Sequence, residues 1–428
     1  MEKPRAAPVS VDPAREAALA VVEAALERRG GLDEALGAAA LAGLDPRDRG
    51  FARMTAMTVL RRLGQIDRAL GARLQKPPPP PVVALLRLGA AQALYMDVPD
   101  FAAVSTTLAL AEARGDTRPF KGLINGVLRG LLREPPVFDP ETLAPAWLFA
   151  RWRAAYGGET AQALAAAIAD EPATDLTLRD PAEAETVAAQ VEGRVLAGGG
   201  VRAGLKGDLS GWPGFAEGRW WVQDAAAAVP ARLLAVRPGE TVLDLCAAPG
   251  GKTLQLAAAG GRVTAVDRSA PRLRRLAENL ARTGLEAEVV AQPAETWEDP
   301  RKFDAVLLDA PCSATGTFRR QPDVLWAARP ADIAKLAEVQ ARLLDAAADR
   351  LKPGGRLVYC VCSLEPEEGE AQIEAVLRRR PDLRRDPVAP GEAGAPAASR
   401  TPDGDLRILP RHAEGGIDGF FVSRLQIS

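Results

Sequence analysis

The chain has 428 residues, 47% hydrophobic and 26% charged, which is the composition of a folded protein of two or three domains rather than a disordered one. Its 54 lysines and arginines nearly balance 56 aspartates and glutamates, and the net charge of −2 excludes a protein that coats nucleic acid by bulk charge, though not one with a local basic face. No apolar run reaches the ~18 residues of a membrane span, and MEKPRAAPVSVDPAREAA lacks a signal-peptide core, so a cytoplasmic location without a membrane partner is expected.

Residues 12 to about 134 read as helices, because AREAALAVVEAALERR and MTAMTVLRRLGQIDRALGARL repeat apolar residues at three- and four-residue spacing. The proline run at 77–81 stops one helix and starts the next, VVALLRLGAAQALYM. FKGLINGVLRGLLRE predicts an amphipathic helix with Lys121, Arg129 and Arg133 on its polar side, where a solvated face is the plain alternative.

From about 140 to 235 a helical stretch leads into the short pieces DLTLRD, RVLAGG and RWWVQD, which read as a small α+β module. From about 236 onward strands and helices alternate: TVLDLCA, RVTAVD, AEVVAQ, FDAVLLDAP and RLVYCVCS are separated by helical segments. That alternation predicts a Rossmann-like, doubly wound parallel α/β sheet with its ligands at the carboxyl ends of the strands. RDPVAPGEAGAPAASRTPDGD reads as an exposed connection before a last strand pair. The expected division is an all-α domain at 1–138, a small α+β module at 139–235 and a Rossmann-like domain at 236–428.

VLDLCAAPGGKT, residues 242–253, is a strand, a tight turn and a helix start. Pro249, Gly250 and Gly251 keep side chains off the turn, so backbone amides can approach a ligand. Asp267, ending RVTAVD, is placed to accept hydrogen bonds from both hydroxyls of a ribose. The same geometry serves dinucleotides and S-adenosylmethionine. A P-loop would need glycine where Cys246 stands, and G-x-G-x-x-G is absent. Asp244 and Asp309 end neighbouring strands, and two converging carboxylates suit a cationic cofactor rather than a pyrophosphate.

The single histidine, His412, lies near the end of the printed sequence, so serine–histidine and cysteine–histidine hydrolase mechanisms are improbable. Four cysteines stand at 246, 312, 360 and 362; their spacing fits neither a disulfide framework nor a zinc site, and no metal is expected. Cys312 in DAPCSATG and Cys362 in YCVCSLEPEEGE each follow the carboxyl end of a predicted strand. A thiolate there could add to carbon 6 of a cytosine, making carbon 5 nucleophilic toward an activated methyl group, while a protonated Asp309 assists at N3. The plain alternative, a small buried hydrophobe, is adopted for Cys246 and Cys360 and rejected for Cys312 and Cys362.

LDLCAAPGGKT, LLDAPCSATGTFRRQPDVLW and VYCVCSLEPEEGE resemble the signature blocks of the Nop/Sun family of RNA 5-methylcytosine methyltransferases. The resemblance implies Cys362 as nucleophile and Cys312 as the residue that assists proton removal or product release. It implies S-adenosylmethionine held by residues 244 and 246–252 (Asp244, Cys246, Ala247, Ala248, Pro249, Gly250, Gly251 and Lys252) together with Asp267 and Asp309. The N-terminal helices resemble a NusB-type RNA-binding domain, a combination similar to bacterial methyltransferases of small-subunit (16S) ribosomal RNA. Lys121, Arg129, Arg319 and Arg320 are then candidates for RNA contacts, with no protein partner evident. The family's acidic residue beside the adenine falls near Pro293 and Ala294, with Glu295 next, and its usual threonine before the nucleophile is Val361. Two rival readings remain: the same reaction on transfer RNA, and a non-catalytic RNA-binding assembly factor.

Overall fold

The apolar periodicity of the first third folds as a stack of short helices in the computed structural model, which describes residues 11–27, 31–37, 39–137 and 139–428. The chain divides into two units, Met1–Asp170 with Phe318–Ala327, and Glu171–Thr317 with Ala328–Ser428. In the first unit, Asp45 caps the helix Pro46–Arg61 by accepting from the Asp48 amide at 2.9 Å. The helix Pro80–Tyr95 opens on two residues of the proline run, whose fixed φ and missing N–H cost nothing in a first turn. Buried alanines (Ala18, Ala52, Ala56, Ala90 and Ala91) let these helices approach closely. Gly89 marks one close crossing, since a Cβ there would lie 2.7 Å from Leu128 Cδ1. The helix Lys121–Arg133 buries Ile124, Val127, Leu128 and Leu131 and turns its other face outward, as its sequence predicts. The segment Phe318–Ala327 belongs to this unit: Phe318 packs on buried Trp152 with ring centroids 5.8 Å apart.

The second unit carries two sheets among the described residues. In the smaller, β1 (Thr174–Leu178), β2 (Arg194–Val195), β3 (Val201–Ala203) and β4 (Trp220–Val222) are antiparallel in the order β2-β3-β1-β4. A buried bidentate pair, Arg202 with Asp175 at 2.7 and 2.9 Å, joins β3 to β1.

The larger sheet contains β5 (Thr241–Leu245), β6 (Arg262–Asp267), β7 (Glu288–Ala291), β8 (Phe303–Asp309), β9 (Leu351–Val361), β10 (Leu383–Arg385), β11 (Leu406–Ile408) and β12 (Phe420–Ile427). β7-β6-β5-β8-β9 are parallel, and helices cover both faces. The near-continuous apolar runs follow from that double burial: Val306 and Leu308 of β8 enter one core layer, Ala305 and Leu307 the other. The sheet is mixed where the sequence suggests parallel throughout. β12 runs antiparallel to β9 and carries β10 and β11 on its outer edge. The Pro/Gly-rich stretch between β10 and β11 forms only short 3₁₀ turns, without the crossover helix that another parallel strand would need.

Candidate active site

The strand order reverses beside β5, since the chain moves outward through β6 and β7 and then returns to β8 on the other side. Loops leaving adjacent strands part there and leave a crevice at the carboxyl edge. A cleft of about 300 Å³ lies at this edge, lined by Cys246, Asp267, Asp309, Cys312 and Cys362 among others. A larger open depression of about 1030 Å³ lies at the opposite ends of β5 to β8 around Thr241, Arg262 and Glu288, away from every motif.

The turn after β5 has the geometry its prolines and glycines dictate. Cys246 adopts φ +60, the Ala248–Pro249 bond is cis, and Gly250 at φ +109 caps the helix Gly251–Ala258. A Cβ on Gly250 would lie 2.3 Å from Leu276 Cδ1, so glycine is required there for space as well as conformation. Ala247 and Ala248 are buried, and the Ala247 amide donates to the Val266 carbonyl at 3.1 Å, tying the turn to β6. Gly251 faces Gln223, whose side-chain amide would stand 3.3 Å from an added Cβ.

Asp267 accepts from the Ala248 amide at 3.1 Å and the Ser269 amide at 2.8 Å, one bond on each oxygen. Each oxygen keeps a further lone pair, the capacity a pair of ribose hydroxyls needs. Asp244 is fully buried and does not line the cleft. Its Oδ2 accepts from the Thr253 hydroxyl at 2.6 Å while Oδ1 has no partner. Burial pushes its carboxyl up to about 7, with the Thr253 hydrogen bond acting in the opposite sense. An orphaned buried carboxylate oxygen, a turn without side chains and a diol-accepting Asp267 together fit S-adenosylmethionine, a cationic nucleoside. Ala294 and Glu295 also line the cleft, so an acidic side chain is present near the predicted adenine end.

Lys252 does not line the cleft. Its Nζ lies 2.7 Å from Asp309 Oδ2 and 5.3 Å from the centre of the Phe420 ring. Burial disfavours its charge, but Asp309 and the neighbouring Cys360 and Cys362 outweigh burial and raise the amine above its ordinary range. Cys360 is buried on β9 with Sγ 3.4 Å from Asp309 Oδ1. Burial and then the Asp309 charge hold its thiol far up, as burial and Asp267 do for Cys246.

Cys312 and Cys362 come together, with Sγ atoms 3.5 Å apart and both partly exposed to the cleft. Backbone bonds fix this meeting: the Ala310 amide donates to the Cys360 carbonyl and the Gly316 amide to the Cys362 carbonyl, each at 3.0 Å. The Cys312 thiol is raised well above its ordinary value, first by its contact with Cys362 and then by burial. Two thiols this close, one kept protonated, can act as a nucleophile and its proton-transfer partner. Sequence reasoning gave no role to Thr253, Gln340 or Glu368. Thr253 bonds within its own motif, to Asp244 nine residues before it, whereas Gln340 and Glu368 meet partners 28 to 55 positions away, which no local pattern announces.

The basic candidates are dispersed. Lys121 pairs with Glu112, and the exposed Arg129 donates to Asn125 at 2.9 Å. Arg319 is 3% exposed, whereas Arg320 is exposed, and both lie in the segment grouped with the helical unit. Among the described residues no cluster could hold a metal and no helix is long and apolar enough to cross a membrane.

Residues 231–426 match the family described as 16S rRNA methyltransferase RsmB/F, and residues 12–133 match the NusB family. A protein of Cronobacter sakazakii named ribosomal RNA small subunit methyltransferase B is 37% identical over 402 residues, 89% of this chain and 90% of the relative. The protein of the same name from Sodalis glossinidius is 38% identical over 407 residues, covering 90% and 91%. The crystal structure of PH0851 superposes with a TM-score of 0.79 over 98% of this chain and all of its own, at 24% identity, a likeness of fold. A methyltransferase homologue from Pyrococcus horikoshii matches at TM-score 0.56 and 26% identity over 70% of this chain and 98% of its own. With a NusB-family region ahead of a Rossmann-like domain, the chain belongs to the RsmB/F family of methyltransferases.

Proposed function

We propose that the protein transfers a methyl group from S-adenosylmethionine to carbon 5 of a cytosine in small-subunit ribosomal RNA through a covalent cysteine–carbon 6 adduct. The observation that carries this reading is the 3.5 Å approach of Cys312 and Cys362 in a cleft shared with Asp267 and with Cys246, which opens the glycine turn. Asp267 would accept the ribose hydroxyls, the backbone of residues 246–251 would border the nucleoside, and Asp244 and the Lys252–Asp309 pair would set the charge around its cationic end. The bound cofactor supplies an electrophilic methyl group.

Cys362, as thiolate, adds to carbon 6 of the cytosine, and the electron pair moves toward carbon 5. A proton reaches N3 from the Lys252 ammonium by way of Asp309, 2.7 Å from it. After methylation the carbon 5 proton passes to Cys312 while the Cys312 S–H proton passes to the departing Cys362 sulfur, the carbon 5–carbon 6 double bond re-forms, and N3 returns its proton through Asp309 to Lys252. The target base must stand clear of its stack to reach the cleft. Lys121, Arg129 and Arg320 are assigned to the RNA backbone, whereas Arg319, at 3% exposure, has too little free surface for a phosphate. The homologues' printed names support ribosomal RNA as the substrate.

The test is a denaturing gel of Cys312→Ala and Cys362→Ala incubated with S-adenosylmethionine and unmodified small-subunit RNA, with transfer RNA in parallel. Cys312→Ala should accumulate a covalent RNA–protein band and Cys362→Ala none. The reverse pattern exchanges the two roles, and a band only with transfer RNA replaces the substrate. No band together with no methyl transfer by the wild type refutes the reading.

A further inference from the structure

The carboxylate of Glu368 is 0% exposed and lies between the two cysteine loops without touching the cleft. Its Oε1 accepts from the Ser313 amide at 2.9 Å and from Gln340 Nε2 at 3.1 Å. Its Oε2 accepts from the Ser363 hydroxyl at 2.5 Å and from the Ser313 hydroxyl. Ser313 follows Cys312, and Ser363 follows Cys362. The two serine hydroxyls also meet each other at 3.0 Å. One charged group therefore ties the residue after each cysteine to the residue after the other.

The clamp is itself anchored. Gln340, from the helix Pro330–Ala348, also donates to the Pro311 carbonyl at 2.9 Å, holding the start of the Cys312 loop. The Tyr359 hydroxyl of β9 donates to the Glu368 carbonyl at 2.6 Å. Thr315 donates toward Glu365 and accepts from the Leu364 amide at 3.0 Å, a second link between the same loops. A buried carboxylate is costly to desolvate, and this one is offset by donors that all belong to the two loops or to the helix behind them.

We propose that Glu368 is the positioning residue of the two-cysteine site: its carboxylate, bonded to the residue after each cysteine, sets the separation of the Cys312 and Cys362 sulfurs and makes their roles unequal. The assignment rests on the reading of those cysteines given above. The titratable groups facing Cys312 are Cys362, Glu368 and Tyr359. After the contact with Cys362 and burial, the Glu368 carboxylate also disfavours a thiolate on Cys312, while the Lys252 ammonium couples to Cys362. Glu368 thus holds the geometry and also opposes ionisation of Cys312, leaving Cys362 to attack.

The test uses Glu368→Gln, Glu368→Ala and Ser363→Ala in the full chain. Site-resolved alkylation by iodoacetamide from pH 6 to 10, read by peptide mass spectrometry, needs neither RNA nor cofactor, and the pH at which half of a cysteine is modified in a fixed time serves as its midpoint. Glu368→Gln keeps the shape, since both serine hydroxyls can turn to accept from the new amide. It should lower the pH midpoint of Cys312 alkylation by on the order of one unit. Its kcat for RNA methylation should fall about tenfold while KM for S-adenosylmethionine stays within about twofold. Glu368→Ala, which frees both loops, should lose on the order of 10²-fold in kcat. Ser363→Ala cuts only the Cys362 side and should reduce kcat without moving the Cys312 midpoint.

An unchanged midpoint in Glu368→Gln, or an unchanged kcat in the variants, overturns the proposal even where the wild type methylates RNA. A shifted midpoint with a wild type that transfers no methyl leaves the clamp standing and removes the functional reading instead. Should Glu368→Ala fail to fold, Glu368→Gln and Ser363→Ala still decide the matter.

Discussion

Replacing Asp244 by asparagine isolates the cost of a single buried charge. Its carboxyl is held up to about 7 against an ordinary value of 3.8, first by burial. As pH rises between those two values, the unfolded chain releases a proton that the folded chain keeps, so ionisation favours unfolding. The gap of about 3 units corresponds to ~4 kcal/mol at 1.36 kcal/mol per unit. That penalty is absent below the lower value and fully developed above the upper one. Asp244→Asn preserves the volume and an oxygen for the Thr253 hydroxyl but cannot ionise. Urea titrations of the ligand-free wild type and variant, followed by tryptophan fluorescence at pH 5, 6, 7 and 8, cancel every other titrating group in the difference. The variant should be the more stable, by a margin that grows by about 2–3 kcal/mol from pH 5 to pH 8. A margin that stays constant, or shrinks as pH rises, would show that Asp244 is not held neutral by its surroundings.

Gly316→Ala places a Cβ 2.1 Å from the Gly419 carbonyl oxygen and 3.0 Å from that of Cys362, so the strand ends must part. Methyl transfer should drop on the order of 10²-fold with cofactor affinity retained, as measured by initial rates beside calorimetry. Gly250→Ala strains a φ of +109 and meets Leu276, and should instead weaken S-adenosylmethionine binding by tenfold or so in the same calorimeter. Asp175→Ala leaves Arg202 buried without its carboxylate and should cost ~3–5 kcal/mol in denaturant unfolding, whereas Asp175→Asn should cost less because it keeps an acceptor.

The legible parts of the molecule are those whose physics is local. A proline followed by two glycines after an apolar strand dictates a side-chain-free turn, and an aspartate ending the next strand must reach the same edge. The register of β5 with β6 and β8 puts them there. Each cysteine was likewise placed by the strand before it. The partnership of Ser313 with Glu368 spans 55 positions and uses residue types that are common on any surface, so nothing in the letters distinguishes it. Three-residue strands such as β3, β10 and β11 are too short to show a period of two. The packing of Phe318 on Trp152 leaves no periodic trace either, because the segment Phe318–Ala327 is shorter than the window in which amphipathicity can be read.

The antiparallel strand β12 has a consequence for the order in which the enzyme is assembled. β9, which leads directly into Cys362, hydrogen-bonds on one side to β8 and on the other to residues 421–426. Those residues are synthesised some sixty positions after Cys362. Until they leave the ribosome, β9 is a bare edge of apolar residues and the Cys362 loop hangs from a half-paired strand. Completion of the site around Cys362 therefore waits on a strand made some sixty residues later, and a nascent chain stalled before β12 would hold that site unfinished.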